Sequence, residues 1–173
     1  MRLRHTQFPL HPDTPQEGLL LTDLFAGRGL DIEAMQSRMK KLMDAEGLPY
    51  GNRTRTFNSR LAQELGKFGD QKGVPQIHDA LYRAYFVDGA NIGDLDVLLE
   101  VVERVGMPRD EAKTVLSERK MQSAVDADWA RSRALGVTGV PTFVIGRKAV
   151  VGAQPYEVLE QLVRGELGAR SER

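Results

Sequence analysis

Apolar residues in this chain recur mainly at helical spacing. Ile32, Met35, Met39 and Leu42 lie three or four apart behind Asp31, a capping residue, and Gly47 with Pro49 ends the run. A second face, Leu61, Ala62, Leu65 and Phe68, follows Asn58. A third, Ile77, Leu81, Ala84 and Tyr85, follows Pro75, an acceptable first-turn residue. Leu95, Leu98, Leu99 and Val102 follow Gly93-Asp94, and Ala112, Val115 and Leu116 follow Pro108. A longer helix is expected from about Lys120 to Leu135, closed by Gly136, and a last one from about Pro155 to Leu167. The methionines of the first helix are expected to fill core, and residues 19–25 predict one or two helical turns packed on it.

The pattern changes to alternation near the C-terminus. Phe143, Ile145 and Val150 can line the inner face of a hairpin with Gly146-Arg147-Lys148 at its tip. Pro141 has no amide hydrogen to give to a ladder, so it belongs at the first residue of that strand or on an edge. Preceded by Val140, with Gly136 and Gly139 close by, it is also a place where a cis peptide could be held. At the other end residues 1–8 predict a short strand with Leu3 opposite Arg2 and Arg4, after which Pro9, Pro12 and Pro15 impose an extended path.

Composition narrows the function. With Lys+Arg 24 against Asp+Glu 24 the formal charge is +0, so neither nucleic acid nor an acidic membrane is an expected partner. No apolar run has the length of a membrane span and the start lacks a signal-like apolar region, which makes the cytoplasm the expected address. Cys 0 excludes disulfides and thiolate metal sites, and it excludes dithiol exchange by this chain because that reaction needs an attacking thiolate. His5, His11 and His78 are far apart and lack patterned carboxylates, so no metal is expected. His78 is expected to donate to a neighbour and His11 to cap a loop. Arg53 and Arg55 could meet a phosphate or a peptide carboxylate, but a solvated loop is the expectation. Trp129 is expected to anchor core, and so are Tyr82 and Phe86, although these two also suit a peptide site.

Four segments, taken jointly, resemble the DsbA-like, FrnE-type family of thioredoxin-fold oxidoreductases. They are Gly136-Val137-Thr138-Gly139-Val140-Pro141-Thr142-Phe143-Val144, Gly152-Ala153-Gln154-Pro155, His78-Asp79-Ala80-Leu81-Tyr82-Arg83-Ala84-Tyr85-Phe86, and Phe8-Pro9-Leu10-His11-Pro12-Asp13-Thr14-Pro15. The resemblance implies an α/β chain with an incomplete thioredoxin-like fold and a large helical insertion. Residues 1–18 and 136–173 would form the thioredoxin-like part, and residues 19–135 the helical subdomain. It further implies a cis Pro141 and a backbone edge at Val140 and Pro141 that presents an extended peptide or a thiol compound. Thr138 and Gly139 would shape its entrance, with Trp129, Tyr82 and Phe86 as groove wall.

The family begins with a strand and a Cys-x-x-Cys helix, and this sequence has neither. The resemblance therefore implies a chain that is truncated or degenerate and inactive in dithiol exchange, with no cofactor. Alternatives are a glutathione-dependent isomerase of the 2-hydroxychromene-2-carboxylate type, for which glutathione would be the thiol, and a non-catalytic peptide-binding or chaperone-like module. In the family's sheet the missing strand is central. Its loss is expected to leave an open edge that a repacked N-terminal strand or a second copy in a homodimer could cover.

Overall fold

The computed structural model describes residues 3–171, with side chains to residue 165. Two compact units form: one from the N-terminal residues to Leu10 together with the chain from Ala127 onward, the other His11–Asp126.

The second unit is helical. It holds β1 (Leu19–Leu20), α1 (Leu21–Leu24), α2 (Ile32–Ala45), β2 (Arg55–Thr56), α3 (Arg60–Lys72), α4 (Gln76–Phe86), α5 (Leu95–Arg104) and α6 (Arg109–Ser117). α7 (Gln122–Ala134) begins there and continues into the first unit. Helix starts follow the polar caps: Asp31 accepts from the Ala34 amide at 2.9 Å, and Asp94 from Asp96 and Val97 at 2.8 and 3.2 Å. Asn58 accepts from the Arg60 amide at 2.9 Å while its own amide donates to the Thr14 carbonyl at 2.8 Å, so one side chain both opens α3 and ties down the N-terminal turn.

The core is the meeting of α3, α4, α5 and α6. Leu65, Phe68, Ile77, Leu81, Leu98, Leu99, Val102, Val115 and Leu116 are buried there. Burying each such side chain is worth about 1.5–3 kcal/mol before the entropy of ordering it. Gly69 is required at the α3–α4 contact, because a Cβ there would collide with the Ile77 side chain.

Glu64 sits in this core fully buried, an ionised type that needs partners at such a depth. Arg119 supplies two donors from one guanidinium edge, Nε at 3.0 Å to one carboxylate oxygen and Nη2 at 2.6 Å to the other. Arg60 adds Nε at 3.1 Å and also reaches Asp126 at 2.6 Å. Arg119 itself takes a left-handed backbone, φ 54°, just beyond α6. Its guanidinium is held charged more firmly than usual, first by the hydrogen bond to Glu64.

One expectation for this unit is corrected. α2 buries none of its residues, and Met35, Met39 and Leu42 are 45%, 41% and 50% exposed, so these methionines do not fill core. Periodicity gave α2 an apolar face, but among the described residues most of that face stays exposed. Residues 19–25 hold the expected single helical turn, α1 with Leu21 buried, and before it Leu19 and Leu20 pair antiparallel with Thr56 and Arg55. Trp129, on the part of α7 that lies in the first unit, is half-buried.

In the first unit β3 (Thr142–Ile145) and β4 (Lys148–Val151) form a hairpin, followed by α8 (Tyr156–Ser171). Residues 3–8 form no strand, contrary to expectation. Gln7 is held by a helix instead: its amide donates to Asp128 Oδ2 at 3.1 Å, and its carbonyl accepts from Ser132 Oγ at 3.2 Å. Asp128 and Ser132 are one turn apart on α7 and both buried, so together they grip the amide and the carbonyl of a single residue.

Candidate functional site

The approach to Pro141 is set by the end of α7. The Gly136 amide donates to the Arg133 carbonyl and the Val137 amide to the Ser132 carbonyl, both at 3.0 Å, which is the paired closure of a Schellman motif. Gly136 has φ 68°, and a Cβ there would meet nothing, so its role is purely conformational. Gly136→Ala is expected to cost about 1 kcal/mol through the left-handed backbone alone. Chemical denaturation measures this, and an unchanged midpoint would show that the motif is not needed.

Thr138, Gly139, Val140 and Pro141 follow in one loop. The Val140–Pro141 peptide is cis. The Thr142 hydroxyl donates to the Gly139 carbonyl at 2.7 Å, closing the loop onto the strand it feeds. Val140 is 50% exposed, and neither its amide nor its carbonyl has a backbone partner among the described residues.

β3 and β4 pair in register, Thr142 with Val151 through Ile145 with Lys148. Gly146 has φ 60° and Arg147 has no positive φ, the pattern of a type II′ turn. In such a hairpin the pair flanking the turn exchanges both backbone hydrogen bonds, and every second pair does the same. The Gly152 amide, 2.8 Å from the Pro141 carbonyl, continues that alternation beyond the strand ends. Thr142 and Val144 therefore turn their amides and carbonyls away from β4. β3 pairs only with β4 among the described residues, so this outer edge is open. Phe143, Ile145 and Val150 are half-buried while Val144, Ala149 and Val151 are exposed, as the alternation predicts.

The remaining candidates divide between the units. Trp129 lies with Thr138, Gly139, Val140 and Pro141 in the first, and Tyr82 and Phe86 lie in the helical one. Tyr82, 56% exposed, and the half-buried Phe86 are not core as expected. With Met43, Leu48, Pro49 and Val87 they line an open apolar groove of about 290 Å3. Asp79 and Arg83, paired at 2.9 Å, stand on its rim. His78 is buried with Nε2 2.8 Å from Asp70 Oδ1, a satisfied histidine. The His11 carbonyl accepts from both the amide and the hydroxyl of Thr14, closing a turn. Arg53, expected in a solvated loop, is half-buried against Tyr85.

The sequence profile of the DSBA-like thioredoxin domain family matches residues 1–164. Among curated proteins, the uncharacterised YwbO of Bacillus subtilis (strain 168) is 31% identical over 87 residues, which is 50% of this chain and 44% of that protein. The match thus spans less than half of that relative. Among solved structures, the probable DsbA oxidoreductase of Streptomyces coelicolor is 30% identical with a TM-score of 0.83, covering 98% of this chain and 75% of that one. A 2-hydroxychromene-2-carboxylate isomerase, at 18% identity and a TM-score of 0.69, covers 82% and 69% of the two chains and shares the fold.

Proposed function

The chain belongs to the DSBA-like thioredoxin domain family, and on that premise we propose that it binds an extended peptide or a small thiol compound along the edge at residues 140–144, without exchanging a disulfide itself. The open edge of β3 supports this reading. Thr142 and Val144 point amides and carbonyls outward beside an exposed Val140, and an extended chain can add to such an edge through backbone hydrogen bonds. Within the family the resemblance is to the FrnE-type branch. Cys 0 removes the thiolate that a thioredoxin-fold oxidoreductase uses as nucleophile. What the fold retains is presentation.

Thr138 and Gly139 bound the entrance, and Trp129, half-buried in the same unit, is the aromatic assigned to its wall in this reading. A cytoplasmic address completes the proposal, since a fold without disulfides needs no oxidising compartment.

The test is an amide NMR titration with an unstructured peptide and, separately, with glutathione. Saturable shifts centred on Val140, Thr142 and Val144 are expected with at least one of them. A response to glutathione alone would turn the reading toward the glutathione-using isomerase type. No saturable shift at these three residues with either ligand would remove the proposal.

A further inference from the structure

Burial alternates along the hairpin, but polarity does not. Val144, Ala149 and Val151 on the exposed side are as apolar as Phe143, Ile145 and Val150 on the half-buried side. Strands that are apolar on both faces belong to sheets covered on both faces. Here α8 packs against β3 and β4, with Leu162 buried, and accounts for one side. The other side stays bare among the described residues: Val144 is 40% exposed and Val151 57%. Thr142 pairs with Val151 and Val144 with Ala149, so these four form one continuous patch.

The bare face adjoins the open edge, and Val144 belongs to both. Its amide and carbonyl turn to the edge while its side chain stands on the face. In a strand added to β3, parallel or antiparallel, the residue opposite Val144 lies on this same face, together with those two positions before and after it. The intervening residues fall on the other side.

Charge restricts the occupant further. Residues 1–10 and 127–173, which make up this unit, carry nine Lys+Arg against five Asp+Glu, although the whole chain balances. Arg147, exposed at the hairpin tip beside β3, has no carboxylate partner among the described residues. Pairing two copies edge to edge would bring two such excesses together, whereas an acidic segment would offset one.

We propose that the β3 edge takes an extended, acidic segment of a partner protein with apolar residues at every second position. The apolar residues lie on Val144, and the longer ones reach over Thr142 toward Val151. This rests on the edge reading above and narrows it: backbone pairing supplies the place, and the bare face selects the sequence.

Short acetylated peptides, titrated into the full chain and followed by amide NMR, test this. One has leucine at every second residue with glutamate and serine between, the next has the same composition with its leucines in one block, and the last has lysine in place of glutamate. The first is expected to shift Val140, Thr142 and Val144 saturably and to bind about tenfold tighter than the block peptide, which lays fewer leucines on the face. The lysine peptide should bind roughly threefold weaker or more, a gap that narrows as salt is raised. Val144→Thr keeps a β-branched residue and the edge amide, and the site is exposed, so the fold should persist. It should weaken the first peptide about threefold and leave the block peptide unchanged. Equal affinity of the alternating and block peptides, with saturable shifts at the edge, overturns the inference and leaves the edge reading standing. So does equal affinity of the glutamate and lysine peptides, or binding of glutathione alone. No saturable shift at these residues with any peptide or with glutathione removes both. A dimer in sedimentation equilibrium that Val144→Pro abolishes would place a second copy on the edge and overturn the inference as well.

Discussion

In an insulin-reduction assay supplied with dithiothreitol, the purified 173-residue chain is expected to run at the rate of the blank. Exchange proceeds by attack of a thiolate on a disulfide sulfur, through a mixed disulfide that a second thiolate resolves. The chain contains no cysteine to take either part. Serine, threonine and tyrosine cannot replace it, because the mixed disulfide is a sulfur–sulfur bond. Loss relative to a dithiol member of the family should therefore be complete, not partial. Mass spectrometry after incubation with oxidised glutathione should show the unmodified mass. Turnover above the blank that co-purifies with the chain, or a glutathione adduct on it, would contradict this.

The largest expected effect on stability is at Glu64. Glu64→Ala leaves the Arg60 and Arg119 charges without the carboxylate that both converge on. Breaking a buried pair by removing one partner costs about 3–5 kcal/mol. Here the lower end applies, because the Arg119 side chain is 42% exposed and can rehydrate, whereas Arg60 at 17% has the bond to Asp126 to fall back on. A loss of about 3 kcal/mol corresponds to a fall in melting temperature of roughly 10 °C. Arg119→Ala should cost less, because Glu64 keeps Arg60, and the double variant should cost less than the sum of the two. Additive losses in thermal denaturation would show that the residues do not act as one network.

Much of the helical architecture is legible in local sequence. Asp31, Asn58 and Asp94 mark helix starts through side chains that accept nearby amides, and Pro75 and Pro108 stand where a missing amide does no harm. What was not legible depends on partners far away in the chain. Arg60 and Glu64 read as an ordinary surface pair one helical turn apart; only Arg119, 55 residues on, makes the carboxylate a buried hub. Residues 3–8 alternate weakly like a strand, yet Gln7 is gripped by Asp128, 121 residues away. β1 and β2 have two residues each, too few to show a period. The methionines of α2 show the limit from the other side: periodicity says that a helix has an apolar face, not that anything covers it. At the candidate site the hairpin was readable, because Gly146 and the alternation around Phe143 are local. An open edge was implied by the resemblance, but that Thr142 and Val144 turn their amides onto it was not legible, because that follows from the register of the pairing.

That edge is also where the functional account can be tested most directly. Val144→Pro removes an outward amide without touching the bonds to β4, and proline is tolerated on such edges. Ala149→Pro, its cross-strand partner, makes the same change on the far edge of the hairpin. Peptide affinity, measured by calorimetry for both variants, is the decisive comparison. The account requires Val144→Pro to lose binding by about tenfold or more, since backbone pairing to β3 is blocked, and Ala149→Pro to bind as the parent chain does. Equal affinity of the two variants, in folded protein, would contradict it.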